Sequence, residues 1–201
     1  VDCDTALTVP LIASMKQAKD LDFVVRYLGS VTTLEITDIL ESGLGLQLVT
    51  FSRVPGWMPT VEMGTEDGRT DVLRLQALGI PSGMLVWIDL EGSSGDAADT
   101  MAWINARAQI LVQTGYVAGL YVGSQSVLNA VQLYALPDIS RYWRAFNQGI
   151  PEPQCGWCQT QLFPPNQQLG GVEVDWNYTQ TDFKGRVPMM LIASELASPS
   201  T

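Results

Sequence analysis

Histidine is absent from all 201 residues. This excludes nucleophile systems of the Ser-His-Asp and Cys-His kinds, and any His-ligated metal site. Acid–base chemistry must then come from carboxylates, Tyr, Lys or Cys. Positive charge is scarce as well. Only 11 Lys and Arg stand against 21 Asp and Glu, a formal net charge of −10. Such a chain is a poor binder of phosphate backbones, so no nucleic-acid partner is expected. Long apolar runs are missing, so no membrane span is expected. No basic stretch followed by an apolar one opens the chain, so no leader is visible in it. Cysteine is limited to Cys3, Cys155 and Cys158. The last two form "CGWC", late in the chain and before an extended stretch. Inert thiols, a disulfide, and a metal or redox pair are the readings open to it. A glycine-rich phosphate loop is also missing: "DCDTALTVP" offers none, which argues against an open dinucleotide-binding sheet.

What is present is an alternation of strand and helix patterns. "VDCDT" reads as a short strand, followed by a helix over Val9–Leu21 with Pro10 in its first turn. Phe23–Gly29 is a strand. "TTLEITDILESGLG" then carries a helical stripe of Leu34, Ile36, Ile39, Leu40 and Leu44. Leu46–Phe51 is a strand, and a long connection runs from Ser52 to about Asp67. "DGRTDVLRLQALGIP" is a helix and Met84–Leu90 an apolar strand. Asp96–Gly115 is a strongly amphipathic helix. "YVAGLYVG" is a strand, and "SQSVLNAVQLYAL" a helix with Ser124 as its cap. Ile139–Phe146, Trp157–Phe163 and Gly171–Tyr178 are three further strands. Eight strands, with helices after the first five, imply a parallel sheet with right-handed crossovers. The expected fold is therefore α/β, a small (β/α)8 TIM-type barrel whose last helices are shortened or missing. It spans residues 1–193, and 194–201 form a polar tail.

In such a barrel the functional face lies at the C-terminal ends of the strands. "MLVWIDLEGSSGD" places Asp89 and Glu91 there, two positions apart on an otherwise apolar strand. Residues i and i+2 of a strand point the same way, with Cα atoms about 6.5–7 Å apart. Asp4 ends the first strand, with Asp2 near, and Asp175 lies on the last. Paired carboxylates push one pKa up, which keeps one acid protonated near neutral pH. Glycosidic bond cleavage needs this: one group protonates the leaving oxygen while another stabilises or attacks the oxocarbenium-like centre. Arg26, Tyr27, Tyr121, Trp143, Gln159, Gln161 and Trp176 fall at other strand ends as substrate contacts. Trp57, Trp143 and Trp176 offer flat faces to sugar rings. The same acids would also serve as solvated strand-end charges, helix caps or partners for Arg26. As an oxygen-only cluster they would otherwise suit Mg²⁺ or Ca²⁺.

The order "DCDT", "FVVRYLG", "LGIPSGMLVWIDLE", "GYVAGLYVGSQSV", "WCQTQ", "VEVDWNY" resembles the glycoside-hydrolase-like barrels of the DUF1906 group, the Rv2525c-like domains. These are relatives of the family 25 lysozymes. The resemblance runs from about residue 1 to 193. It implies a (β/α)8 barrel acting on peptidoglycan or a related amino-sugar glycan, with no cofactor. By position it makes Asp4 the strand-one acid, Glu91 of the D-x-E the general acid, and Asp175 the strand-eight acid. It also matches Arg26 to the family's arginine and Gln159 or Gln161 to its glutamine. A secreted, extracellular or virion-associated setting follows from the substrate. The alternative is a non-catalytic wall- or glycan-binding module. A metal-dependent phosphodiesterase or deacetylase on a similar barrel is the weakest reading, because such deacetylases need histidines.

Overall fold

The computed structural model describes residues 1–51, 53–124, 126–146 and 149–196. Helix and strand alternate through most of the chain. The order is α1 (Val9–Ala18), β1 (Phe23–Tyr27), α2 (Thr33–Glu41), β2 (Gly45–Val49), α3 (Val61–Ala77), β3 (Leu85–Leu90), α4 (Ala97–Gln113), β4 (Val117–Val122) and α5 (Ala130–Tyr134). Then the helices stop. β5 (Ile139–Arg144), β6 (Gln159–Gln161), β7 (Gln167–Leu169), β8 (Val172–Val174) and β9 (Asn177–Thr179) follow, with the short α6 (Ala193–Leu196) near the end.

Polar side chains set the helix starts. Thr32, Thr60 and Asp96 each accept the backbone N–H three residues on, satisfying donors that a first turn leaves open. For α5 the cap is Asn129, whose reciprocal bonds with Gln132 form a capping box. Ser124 was the expected cap. It lies five residues too early, and Gln125 lies outside the described residues. α3 likewise starts at Val61, six residues before the end of the expected connection, because Thr60 supplies the cap.

β1 to β6 form one parallel sheet in chain order, and β9 joins β6 antiparallel. β2 and β3 are buried along their whole length, as strands covered on both faces must be. The architecture is thus α/β, with a curled, mostly parallel sheet and helices outside it. Two expectations are corrected. "VDCDT" forms no strand; Asp2 makes single bridges, parallel to Val25 and antiparallel to Asp175. Gly171–Tyr178 is not one parallel strand. Its first half, β8, pairs with β7 as a hairpin, and its second half, β9, turns antiparallel onto β6. The expected boundary at residue 193 falls at the start of α6, and residues 197–201 lie outside the described residues. No helix among the described residues is long and apolar enough to cross a membrane.

Candidate functional site

The parallel register aligns the residues that matter. Asp89 of β3 stands opposite Tyr121 of β4, Tyr121 opposite Trp143 of β5, and Trp143 opposite Gln159 of β6. Aligned partners in a sheet project to one face, so these four side chains form a row across neighbouring strands. Tyr27 ends β1, and Gln161 ends β6 one side-chain step beyond Gln159.

Asp89 is only 4% exposed, and its Oδ1 has no hydrogen-bond partner. Burial pushes its pKa well above the ordinary carboxylate value. The charges of Glu91 and Asp2 push the same way, and Arg107 pulls back. Glu91 stands one residue beyond β3 and is half-buried. Burial raises its pKa too; the Tyr121 phenol opposes this and the Asp175 charge adds to it. Glu91 lies across Gly123, where an added Cβ would fall 2.1 Å from the Glu91 Cγ.

A hydrogen-bonded chain runs from Asp175 through Gln161 to Tyr121, the phenol that acts on Glu91. Gln161 Nε2 donates to Asp175 Oδ2 at 2.6 Å, which orients the amide. Gln161 Oε1 then accepts from the Tyr121 hydroxyl at 2.9 Å. Tyr121 has a single proton. Given to Glu91, it steadies the carboxylate; given to Gln161, it leaves the phenol oxygen to accept from protonated Glu91. Asp175 Oδ1 accepts the Asn166 backbone N–H at 2.6 Å. Its backbone pairs both ways with Asp2, each bond 2.9 Å.

Asp2 received little weight from sequence, yet it is a member of the group. It is 7% exposed, accepts from Asn177 Nδ2 at 2.5 Å, and has a pKa raised to about 7, first by burial and then by Asp175 and Asp4. Its alternation with Asp4 was the available signal, since a two-residue period puts both on one face. Asp4 is exposed. With Asp2, Tyr27 and Asp175 it borders a cavity of about 130 Å³. The Tyr27 and Tyr121 phenols are both pushed up by burial and by these acids, which keeps them neutral donors.

Several expected contacts lie elsewhere. Arg26 is fully buried: Nε donates to Glu35 at 2.7 Å, Nη1 to the Cys3 carbonyl and Nη2 to the Asp4 carbonyl at 3.3 Å. It positions the N-terminal segment and presents no free surface at the rim. Trp143 is 2% exposed, its ring packed on Tyr121 at 4.4 Å and Trp87 at 5.8 Å, so it is a buried, interior member of the row. Gln159 is completely buried beside it. Trp176 is half-buried against the core. Trp57 acts through its indole N–H, which donates to the Glu91 carbonyl at 2.7 Å. That bond belongs to an interlock of two loops. Gly56 N–H donates to the Gly92 carbonyl and Ser94 N–H to the Trp57 carbonyl, both at 2.8 Å. Gly92 is required there, with φ 61° and Pro55 Cα 2.8 Å from where a Cβ would stand.

All three cysteines are free and buried. Cys158 Sγ donates to the Tyr142 carbonyl at 3.4 Å, and burial pushes its thiol up to about 12. Burial raises Cys155 as well, with Arg186 opposing. Raised thiols are the reverse of what a reactive thiolate needs. Among the described residues no three Asp, Glu or Cys are arranged to hold a metal ion.

The same architecture occurs in solved structures. An uncharacterized B. stearothermophilus protein superposes with a TM-score of 0.72 at 22% identity, over 90% of this chain and 94% of that one. The Mycobacterium tuberculosis Tat-secreted protein Rv2525c gives 0.67 at 17%, over 89% and 93%. The catalytic domain of the endolysin ply40, from bacteriophage P40 of Listeria monocytogenes, gives 0.56 at 17%, over 90% and 92%. At these identities the likeness is one of fold. A comparison with curated proteins finds no match. In sequence, the profile described as "Rv2525c-like, glycoside hydrolase-like domain" matches residues 13–183. This chain belongs to that family of Rv2525c-like, glycoside hydrolase-like domains.

Proposed function

We propose that this chain is a glycoside hydrolase acting on peptidoglycan or a related amino-sugar glycan, outside the cell or on a virion. One observation carries the reading. Glu91 is half-buried at the C-terminal end of a central parallel strand, two residues beyond Asp89, with its pKa raised by burial and by the charge of Asp175 from a separate segment. A carboxyl in that setting holds its proton to higher pH than a solvated one and can give it to a leaving oxygen. Glu91 is the general acid. Asp175 and Asp4, which border the small cavity with Asp2 and Tyr27, stabilise positive charge on the sugar or orient a reacting N-acetyl group. Asp89, buried on the same strand, has its own pKa raised by burial and by the Glu91 charge, so it resists ionising beside an ionised Glu91. Tyr27, Tyr121, Gln161 and Trp176 contact the substrate. The fold is completed as a (β/α)8-type barrel in which residues 1–4 and 172–179 take the places of the first and last staves. Fold relatives point to the same substrate class. One is a modular autolysin, LytC of Streptococcus pneumoniae, with a structure in complex with a synthetic peptidoglycan ligand. Another is a spore cortex lytic enzyme of Clostridium perfringens.

The test is release of reducing ends from purified cell walls. Glu91→Gln is expected to lose about 10²–10⁴-fold in rate, the range assigned to a positioned acid. Equal release by both proteins removes Glu91 from the mechanism. A second reading, a wall-binding module without turnover, is favoured by the small cavity of about 130 Å³ and by Asp175, whose two oxygens are both engaged. It predicts retention on walls, no reducing ends, and binding indifferent to Glu91→Gln.

A further inference from the structure

A groove of about 780 Å³ opens between the segment following β2 and the bodies of α3 and α4. Leu28, Phe51, Val54 and Trp57 make its apolar wall, and Phe51 and Val54 are exposed. Three of the chain's 11 basic residues line it, in a protein of net charge −10. They are not equivalent. Arg107 is held by Asp71 through two bonds, of 2.7 and 3.0 Å. Arg53 pairs with Asp67, which also accepts the Trp103 indole N–H at 2.9 Å. Arg74 donates to the Leu28 and Val31 carbonyls at 3.2 and 2.6 Å and has no carboxylate partner among the described residues. Three cations against two acids leave one positive charge, half-buried, beside apolar surface. The wall is also tied to the acid pair, since Trp57 is the residue whose indole holds the Glu91 carbonyl.

We propose that this groove is a second binding subsite, which takes the carboxylate-bearing peptide substituent of a peptide-substituted amino-sugar glycan. The proposal rests on the glycan reading above and names the part of the substrate that reading leaves open. A small aliphatic side chain fits the wall, a carboxylate is drawn to Arg74, and the sugar that carries the peptide lies at Glu91. A bare polysaccharide has nothing to pair with Arg74. An apolar peptide would leave that charge partly desolvated and unmatched.

Titration calorimetry with three probes tests this: a muramyl dipeptide with its free carboxylate, the same compound amidated, and chitobiose. Amidation is expected to weaken binding about tenfold, the scale of one charge-assisted hydrogen bond. Arg74→Gln should abolish that difference and Arg74→Lys should retain most of it. Because Arg74 also ties two carbonyls, Arg53→Gln, which redistributes charge in the same groove, is the companion if Arg74→Gln does not fold; it should change the ratio between the two dipeptides. Equal binding of free and amidated dipeptide overturns the proposal. So does displacement of both by inorganic phosphate, which would make the groove a general anion site. Wild-type cleavage of peptide-stripped strands as fast as of intact walls sinks the subsite and leaves the hydrolase standing. A carboxylate preference that persists while Glu91→Gln changes no turnover does the opposite.

Discussion

Arg26 ties two segments to β1 with one guanidinium: Glu35 in α2, and the Cys3 and Asp4 carbonyls of the N-terminal stretch. Glu35 in turn accepts the Leu7 N–H at 2.8 Å. Removing one partner of a buried pair strands the other charge in the interior. Arg26→Met is therefore expected to lower stability by about 3–5 kcal/mol, read from the midpoint and slope of a urea titration. An unchanged midpoint would make the pair incidental. From sequence, Arg26 ends an apolar strand and so reads as a rim residue. Nothing local says that it turns inward. Thr32-x-x-Glu35 matches a capping box, which would send Glu35 back to its own helix start. The structure keeps the Thr32 half of that motif and gives Glu35 to Arg26 instead. A charged partner in the interior outweighs one exposed backbone N–H, and that choice depends on which segments meet.

The packing of α3 on α4 is as close as helices allow. A Cβ on Gly64 would stand 2.3 Å from the Trp103 carbonyl oxygen, and one on Gly68 would stand 2.9 Å from that of Arg107. Alanine is the better helix former by about 1 kcal/mol. Gly64→Ala is nevertheless expected to destabilise, by about 1–3 kcal/mol, because the backbones must part. Thermal melting measures this, and a raised midpoint would show that propensity wins. Turnover should fall with it: Trp103 packs edge-on against Trp57 at 4.7 Å, and Trp57 holds the Glu91 carbonyl. The helical periods of α2, α3 and α4 are plain in sequence, since each buries one stripe of its own residues. Gly171–Tyr178 was not legible in the same way. Its alternation is correct for a strand throughout. Whether it pairs as one unit depends on β7 and β6, which compete for its two halves, and local alternation carries no record of a partner.

Across the whole molecule, Asp2 ties distant segments together, bridging Val25 on one side and Asp175 on the other. Its carboxyl is raised from 3.8 to about 7, chiefly by burial. The folded chain keeps this proton over a pH range in which the unfolded chain has released it. The contribution is fully present below 3.8 and is lost as pH climbs towards about 7. Asp2→Asn keeps an acceptor for Asn177 and removes the titration. It is expected to melt higher than wild type at about pH 8 and to match it at about pH 3. A wild-type melting point that does not fall between those values would place the proton elsewhere. The alternation of strands and helices from α1 to α5, the absence of histidine and the Asp-x-Glu on a buried strand were all determined by sequence, because each rests on neighbours along the chain. Tertiary structure alone decided that Asp2 joins the acids, that Arg26 and Trp143 leave the rim for the interior, and that the final strand divides. Each of these depends on what burial and pairing cost between residues far apart in sequence, a quantity no local pattern records.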